Sequence, residues 1–93
     1  MQLTEKIRKG ILLYLSEITQ VEAEQIAGTN GVGFVTVYRY WKLIRTGKPV
    51  ELNNITIAIA ELAASKKQEV EQTHKRLAKI TKQLSGSKRS LAA

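Results

Sequence analysis

Few side chains in this sequence are equipped for polar chemistry, and most of those carry positive charge. Fifteen Lys and Arg stand against eight Glu, with one His and neither Cys nor Asp. Without thiols there are no disulfides, thiolate zinc sites or cysteine nucleophiles. His74 has no second His, Cys or Asp to share a metal with, so no metal site is expected. General acid/base catalysis wants a tuned pair of groups in one pocket. Glu22 and Glu24 instead leave a helical stretch on different faces. Gly28, Gly31 and Gly33 lie between two helical patterns with no strand before them, which is not the context of a phosphate-cradling loop. An enzyme is therefore not expected: no catalytic residue, no cofactor and no small-molecule substrate. What remains is a cationic binding surface.

The cations are unevenly placed. Residues 1–65 hold seven basic and six acidic side chains, whereas residues 66–93 hold eight basic and two acidic. Arg39, Lys42, Arg45 and Lys48 occupy residues 31–48 without an acid among them, downstream of Glu17, Glu22 and Glu24. Such asymmetry points to an anionic partner, nucleic acid first and anionic lipid second. For residues 66–93 alone, a solvated lysine-rich helix explains the charge equally well.

These side chains need a scaffold. A chain of 93 residues, 43 % apolar and 25 % charged, has the usage of one globular domain with a single modest core. Its best apolar stretch, Ile55 to Ala64, is ten residues long and contains Glu61, short of the roughly 20 residues of a membrane span. The patch from Gly10 to Leu15 lacks a small-residue cleavage site, so no secretory signal is read and a cytoplasmic location is expected.

Hydrophobic spacing predicts an all-α bundle of three to four helices. Leu3, Ile7, Ile11, Tyr14, Leu15 and Ile18 recur three and four apart, predicting a helix over 4–17 with Thr4 as cap. Gly10 inside it costs about 1 kcal/mol relative to Ala and is expected to mark a close packing contact. Thr19-Gln20-Val21-Glu22 has the form of a capping box and starts a second helix with Ile26 and Ala27 on its apolar face. Asn30-Gly31 is a turn signal. A third helix is predicted from Phe34 to Ile44, with Val37, Trp41 and Ile44 inward beside Tyr40, and Val35, Tyr38, Arg39, Lys42 and Arg45 on the other face. Gly47 and Pro49 end it. From a cap at Asn53 or Asn54, a fourth helix runs through Ile55, Ile59 and Leu62 until Ser85-Gly86-Ser87. Residues 1–65 thus form a helix-turn-helix domain, and 66–93 an extended basic helix with a frayed tail.

The string Gln25-Ile26-Ala27-Gly28-Thr29-Asn30-Gly31-Val32-Gly33-Phe34-Val35-Thr36-Val37-Tyr38-Arg39-Tyr40 resembles bacterial helix-turn-helix repressors. Ala27 matches the small residue where the two helices cross, Gly31 the turn, and Val32 and Val37 buried positions of the second helix. Ile26-Ala27, Gly31-Val32 and Val37 to Trp41 look like the DNA-binding domain of tetracycline-repressor-type regulators. The stretch after Gly47, with a further apolar helix, looks more like lambda-repressor-type domains. The resemblance spans about residues 19–62. It departs at Asn30, where an apolar or small residue is usual, and at Gly33, where a serine or threonine usually caps. Glycine caps acceptably but offers no side chain to a phosphate.

Such a unit reads double-stranded DNA by laying its second helix, here residues 34–45, in the major groove. Arg39 is the expected base reader, since a guanidinium can grip guanine O6 and N7 together. Lys42, Arg45 and Lys48 would contact phosphate. Gly33 opens the helix, Thr36 suits a phosphate or the first turn, and Tyr38 a phosphate, a sugar or half-buried packing. Contact with a thymine methyl accounts for Phe34 or Val35, with core burial the preferred alternative for Phe34. Trp41 is expected in the core and His74 on the surface. A transcriptional regulator or phage- or plasmid-type repressor follows, acting as a dimer on a two-fold site. Val70, Leu77, Ile80 and Leu84, with Thr73, fall on a and d positions of about two heptads and are candidates for the dimer seam. The alternative for that helix is packing back on its own core. The rival functions are a protein-interaction or assembly module with no specific DNA site, and a membrane-surface helix over 66–84.

Overall fold

A computed structural model describes the backbone of residues 1–92 and the side chains of residues 1–85. Four helices follow one another: α1 (Glu5–Tyr14), α2 (Gln20–Asn30), α3 (Phe34–Arg45) and α4 (Asn54–Ala92). The chain is all-α, as its periodicity predicts. An isolated antiparallel bridge, Gln2 with Glu51, ties the segment before α1 to the link before α4, and the Leu3 N–H donates to the Val50 carbonyl at 2.9 Å. The break expected at residues 85–87 does not occur: α4 continues through them to Ala92, so the segment expected to be a frayed tail from residue 86 is helical in its backbone as far as residue 92.

Local chemistry sets most boundaries. The Thr4 hydroxyl accepts from the Ile7 N–H and starts α1. That helix stops at Tyr14 rather than reaching residue 17, because Leu15 is already extended (φ −130°, ψ 99°). Thr19 must itself be extended to cap α2, and its capping box claims the chain next. Both halves of that box are made: Glu22 N–H to Thr19 Oγ1 at 3.2 Å, and Thr19 N–H to Glu22 Oε1 at 3.0 Å. Helix α2 ends at Gly31 (φ 66°) and α3 at Gly47 (φ 76°). In each case the next residue's N–H reaches back five residues, Val32 to Ala27 and Lys48 to Leu43, both at 3.0 Å. This left-handed stop favours glycine because a Cβ crowds the carbonyl there. Asn30 does not disturb it; its Nδ2 donates to the Ile26 carbonyl at 2.8 Å. Asn53, not Asn54, caps α4: its Oδ1 accepts from the Ile55 and Thr56 amides, while the fully buried Thr56 hydroxyl accepts from the Asn53 N–H at 2.8 Å.

Ile11, Leu15 and Ile18 meet Ala23 and Ala27 of α2, Val37, Trp41 and Ile44 of α3, and Ile55, Ile59 and Ala63 of α4 in one core. Two expectations for α1 fail. Ile7 is not in the core but 40 % exposed, and Arg8 takes the inward position with Ile11 and Leu15. Gly10 makes no close contact; a Cβ there would meet open space. Both line a shallow groove of about 250 Å³ between α1 and the small residues Ala60, Ala63 and Ala64 of α4. The alanines on that side of α4 are too short to cover Ile7, and Lys67 closes only the far end of the groove, over the Tyr14 ring.

The second half of α4 does not fold back. Every side chain from 67 to 85 is exposed, and the molecule measures 61 × 27 × 17 Å. Its radius of gyration, 18.7 Å, far exceeds the roughly 12 Å of a compact chain this long. A globular body thus carries a projecting helical arm.

Candidate nucleic-acid interface

Helix α3 is anchored along one face and open along the other. Val37 and Ile44 are fully buried and Trp41 nearly so, which fixes the helix against α2 and the core. On the outward crest stand Val35, Arg39 and Lys42, at i, i+4 and i+7, all exposed. Phe34, Tyr38 and Arg45 flank the crest. Thr36 is half-buried and Lys48 lies exposed just past the helix end. Among the described residues, none of Arg39, Lys42, Arg45 and Lys48 forms an ion pair. Four cations are therefore presented to solvent from one helix and its exit.

Phe34 corrects the reading that placed it in the core: it is 43 % exposed, beside Val35 at 59 %. Its ring meets the Tyr38 ring edge-on, centroids 6.1 Å apart. Phe34 belongs to the first turn, ahead of the residues that face α2, so the core face of α3 begins only at Val37. Tyr38 is half-buried, and its hydroxyl donates to the Ile18 carbonyl at 3.4 Å, tying α3 to the link between α1 and α2. A shallow depression beside it is lined by Glu17, Ile18, Tyr38, Trp41, Lys42 and Arg45, so Glu17 brings a carboxylate to its rim. Gly33 caps α3 in extended geometry (φ −79°, ψ 154°) without a side-chain bond. The first-turn amides of α3 thus have no side-chain acceptor from their cap, an arrangement suited to an anion.

Arg8 is the residue that sequence reading missed. It is 4 % exposed, and its guanidinium is spent on the end of α3. Nη1 donates to the Leu43 and Ile44 carbonyls at 3.1 and 2.7 Å, Nη2 to the Lys48 carbonyl at 2.7 Å, and Nε to Glu5 Oε1 at 3.1 Å. The last carbonyls of a helix carry its negative dipole end and lack intrahelical donors, so a fixed cationic fork is a strong terminator. Arg8 therefore positions α3 from a different helix. The spacing signal was present, since 8, 11 and 15 share a face, but an arginine in that register reads as solvated until a partner is known.

Glu22 couples α2 to α4. Its carboxylate accepts from the Thr19 backbone and pairs with the Lys66 ammonium at 2.9 Å. The Thr19 N–H, chiefly, and then Lys66 hold its pKa below the ordinary carboxylate value, against an opposing push from partial burial. A depressed folded pKa contributes stability that is fully present above the ordinary value and is lost as pH falls through the depressed one. Melting temperature is expected to fall on acidification below about pH 5. In Glu22→Gln, which keeps the capping geometry, that acid limb should be shallower. Thermal melts at several pH values check this, and parallel curves for the two proteins would refute it.

On the arm, Val70, Leu77, Ile80 and Leu84 are 44, 54, 47 and 63 % exposed. His74 is exposed, and no group of potential metal ligands occurs among the described residues. No helix there is long and apolar enough to cross a membrane. No family model matches the chain, and neither a curated protein nor a solved structure matches it.

Proposed function

We propose that this protein binds double-stranded DNA in a sequence-dependent way, with α3 in the major groove, as a transcriptional regulator or phage- or plasmid-type repressor. The observation that carries the reading is the outward crest of α3. Among the described residues, Arg39 and Lys42 stand free of carboxylate partners on a helix clamped by Trp41, Ile44 and Arg8. The short connection of residues 31–33 between α2 and α3 and the resemblance of residues 25–40 to helix-turn-helix repressors support it. Arg39 reads base edges; Lys42, Arg45 and Lys48 contact phosphates, with the Gly33 amide end and Thr36 close to the backbone; Val35 and Phe34 meet apolar base surface.

The test is fluorescence anisotropy of duplex DNA against salt, joined to competition by a randomised duplex library. Affinity should fall steeply with salt, by a slope of about 0.9 per phosphate contact. Arg39→Ala should lose about 1–3 kcal/mol at the preferred site and lose site enrichment, whereas Lys75→Ala should leave enrichment unchanged. Weak binding without enrichment in any of these proteins would remove the reading. The exposed Phe34 and Val35 beside the same cations would then favour a protein partner.

A further inference from the structure

We propose that the back face of the α4 arm, presenting Lys75, Lys79 and Lys82, is a second contact for the phosphate backbone of duplex DNA. It is independent of base sequence and engages a different duplex segment from the one α3 reads. Glu71 is the last acid of the chain, and residues 72–85 carry Lys75, Arg76, Lys79 and Lys82 with no carboxylate among them. All four cations are exposed. At 3.6 residues per turn, Lys75, Lys79 and Lys82 fall within about 60° of one another, away from Val70, Leu77, Ile80 and Leu84. The order of these charges is costly in plain solvent. A helix that projects without tertiary cover depends on side-chain pairs three and four residues apart. Glu71 and Lys75 make one favourable spacing. Beyond it, Lys75 with Lys79, Arg76 with Lys79 and Lys79 with Lys82 are all like-charged, and such pairs destabilise an isolated helix. A row of phosphates turns that repulsion into attraction. Lys75 and Lys82 stand about 10.5 Å apart along the axis, roughly the rise of three nucleotides at about 3.4 Å each.

The packing of α4 sets the direction of this face. Ala60, Ala63 and Ala64 line the groove against α1, and Ala58 and Leu62 line a depression against Ile26 and Asn30 of α2. Ile55 and Ile59 lie between those two sides and meet Val37, Trp41 and Ile44 of α3 in the core. The crest of α3 therefore points away from the core on one side and the back of α4 on the other. Lys75, Lys79 and Lys82 fall about 140–160° around the helix from Ile59, on that back. Helix α4 is straight enough to carry the relation along its length, since 39 residues at about 1.5 Å each match the 61 Å of the molecule.

Duplex DNA is stiff over about 150 base pairs. A duplex seated on α3 does not turn round a body 27 × 17 Å in cross-section to reach the back of the arm. The arm takes a second segment, and the protein bridges the two. The bridging rests on the DNA-binding reading of α3 above; the arm's own contact with phosphate does not. Residues 66–84 hold four aliphatic side chains on the stripe and no aromatic, a weak anchor for a bilayer, so the polyanion argued for is DNA.

The test combines Lys75→Gln, Lys79→Gln and Lys82→Gln in the full chain, which removes the charge and keeps helix propensity. On a random-sequence duplex, the slope of log affinity against log salt should be shallower than that of the wild type by about 2–3, at about 0.9 per phosphate. The same three positions changed to Arg should keep the wild-type slope. Site enrichment from a randomised library should be equal in all three proteins. With one duplex fixed to beads, the wild type should retain a second, fluorescent duplex, and the Gln variant should bind the first but lose the second. Equal slopes, or equal retention of the second duplex, in wild type and Gln variant would overturn the proposal. Equal slopes with a loss of binding to phosphatidylserine vesicles would overturn it in favour of a bilayer. Adding Arg39→Ala to wild type and Gln variant should leave the difference in slope in place. Failure of the α3 reading shows as missing enrichment in the wild type, and failure of the arm as equal slopes, so each is judged separately.

Discussion

Arg8→Ala is expected to destabilise the body by about 3 kcal/mol and to lower its melting temperature by about 10–20 °C. Each hydrogen bond from a charged donor is worth roughly 1.5–3 kcal/mol net, and three carbonyls at the end of α3 share this guanidinium. The values do not add, because Leu43 and Ile44 also accept from the Lys48 and Gly47 amides in the helix stop. What the variant removes completely is the link between α1 and the end of α3. Arg8→Lys should recover only part, since an ammonium keeps the charge but cannot span three acceptors in a planar fork. Arg8→Met keeps the packing of the stem and should fall near alanine if the fork is what matters. Thermal melts by circular dichroism decide it. A shift of only a few degrees for Arg8→Ala would mean that the glycine stop alone holds α3.

Trp41→Ala should cost about 3–5 kcal/mol, against total stabilities of about 5–15 kcal/mol for small domains. Trp41 is 4 % exposed, and α2 contributes only alanines, Ala23 and Ala27, to the buried core. Side chains that small cannot collapse into the space a tryptophan leaves. The variant should have lost most of its cooperative melting at 37 °C, while Arg39→Ala, from the exposed face of the same helix, should melt like the wild type. Trp41→Phe should lie between. Because Trp41 is the only tryptophan, fluorescence of the wild type reports burial of this one site, and a blue-shifted emission that moves red on unfolding is expected. Equal melting of Trp41→Ala and wild type would show that α3 is not held by its core face.

Three to four helices, their starts and the ends of α2 and α3 were legible from residue order, whereas α1 stops short of residue 17 and α4 runs on past residues 85–87. Thr4, the Thr19–Glu22 box and Asn53 act on amides two or three residues away, and Gly31 and Gly47 supply a conformation that their neighbours resist. The inward face of α3 was legible too, since Val37, Trp41 and Ile44 repeat at a helical period with cations on the opposite side. Less was legible on α1. Period and hydrophobicity favoured Ile7 over Arg8, yet the end of α3 arrives beside Arg8, while Ile7 lines an open groove against Ala60, Ala63 and Ala64. Phe34 likewise counted as core by type and is exposed by position.

The candidate site divides in the same way. Arg39, Lys42, Arg45 and Lys48 were readable as a run of cations without acids, because charge and spacing are properties of the chain. That they stand unpaired among the described residues, with Glu17 at the rim of the depression beside Lys42 and Arg45, depends on which elements meet. Sequence by itself determined the helices, their caps and the cationic face of α3, since each rests on interactions within a turn or two. Only the tertiary structure decided that Arg8 fastens the end of α3, that Ile7 lines a groove and that the arm of α4 is bare. Each of those depends on surfaces far apart in the chain coming together, and residue type alone does not say which surface will meet which.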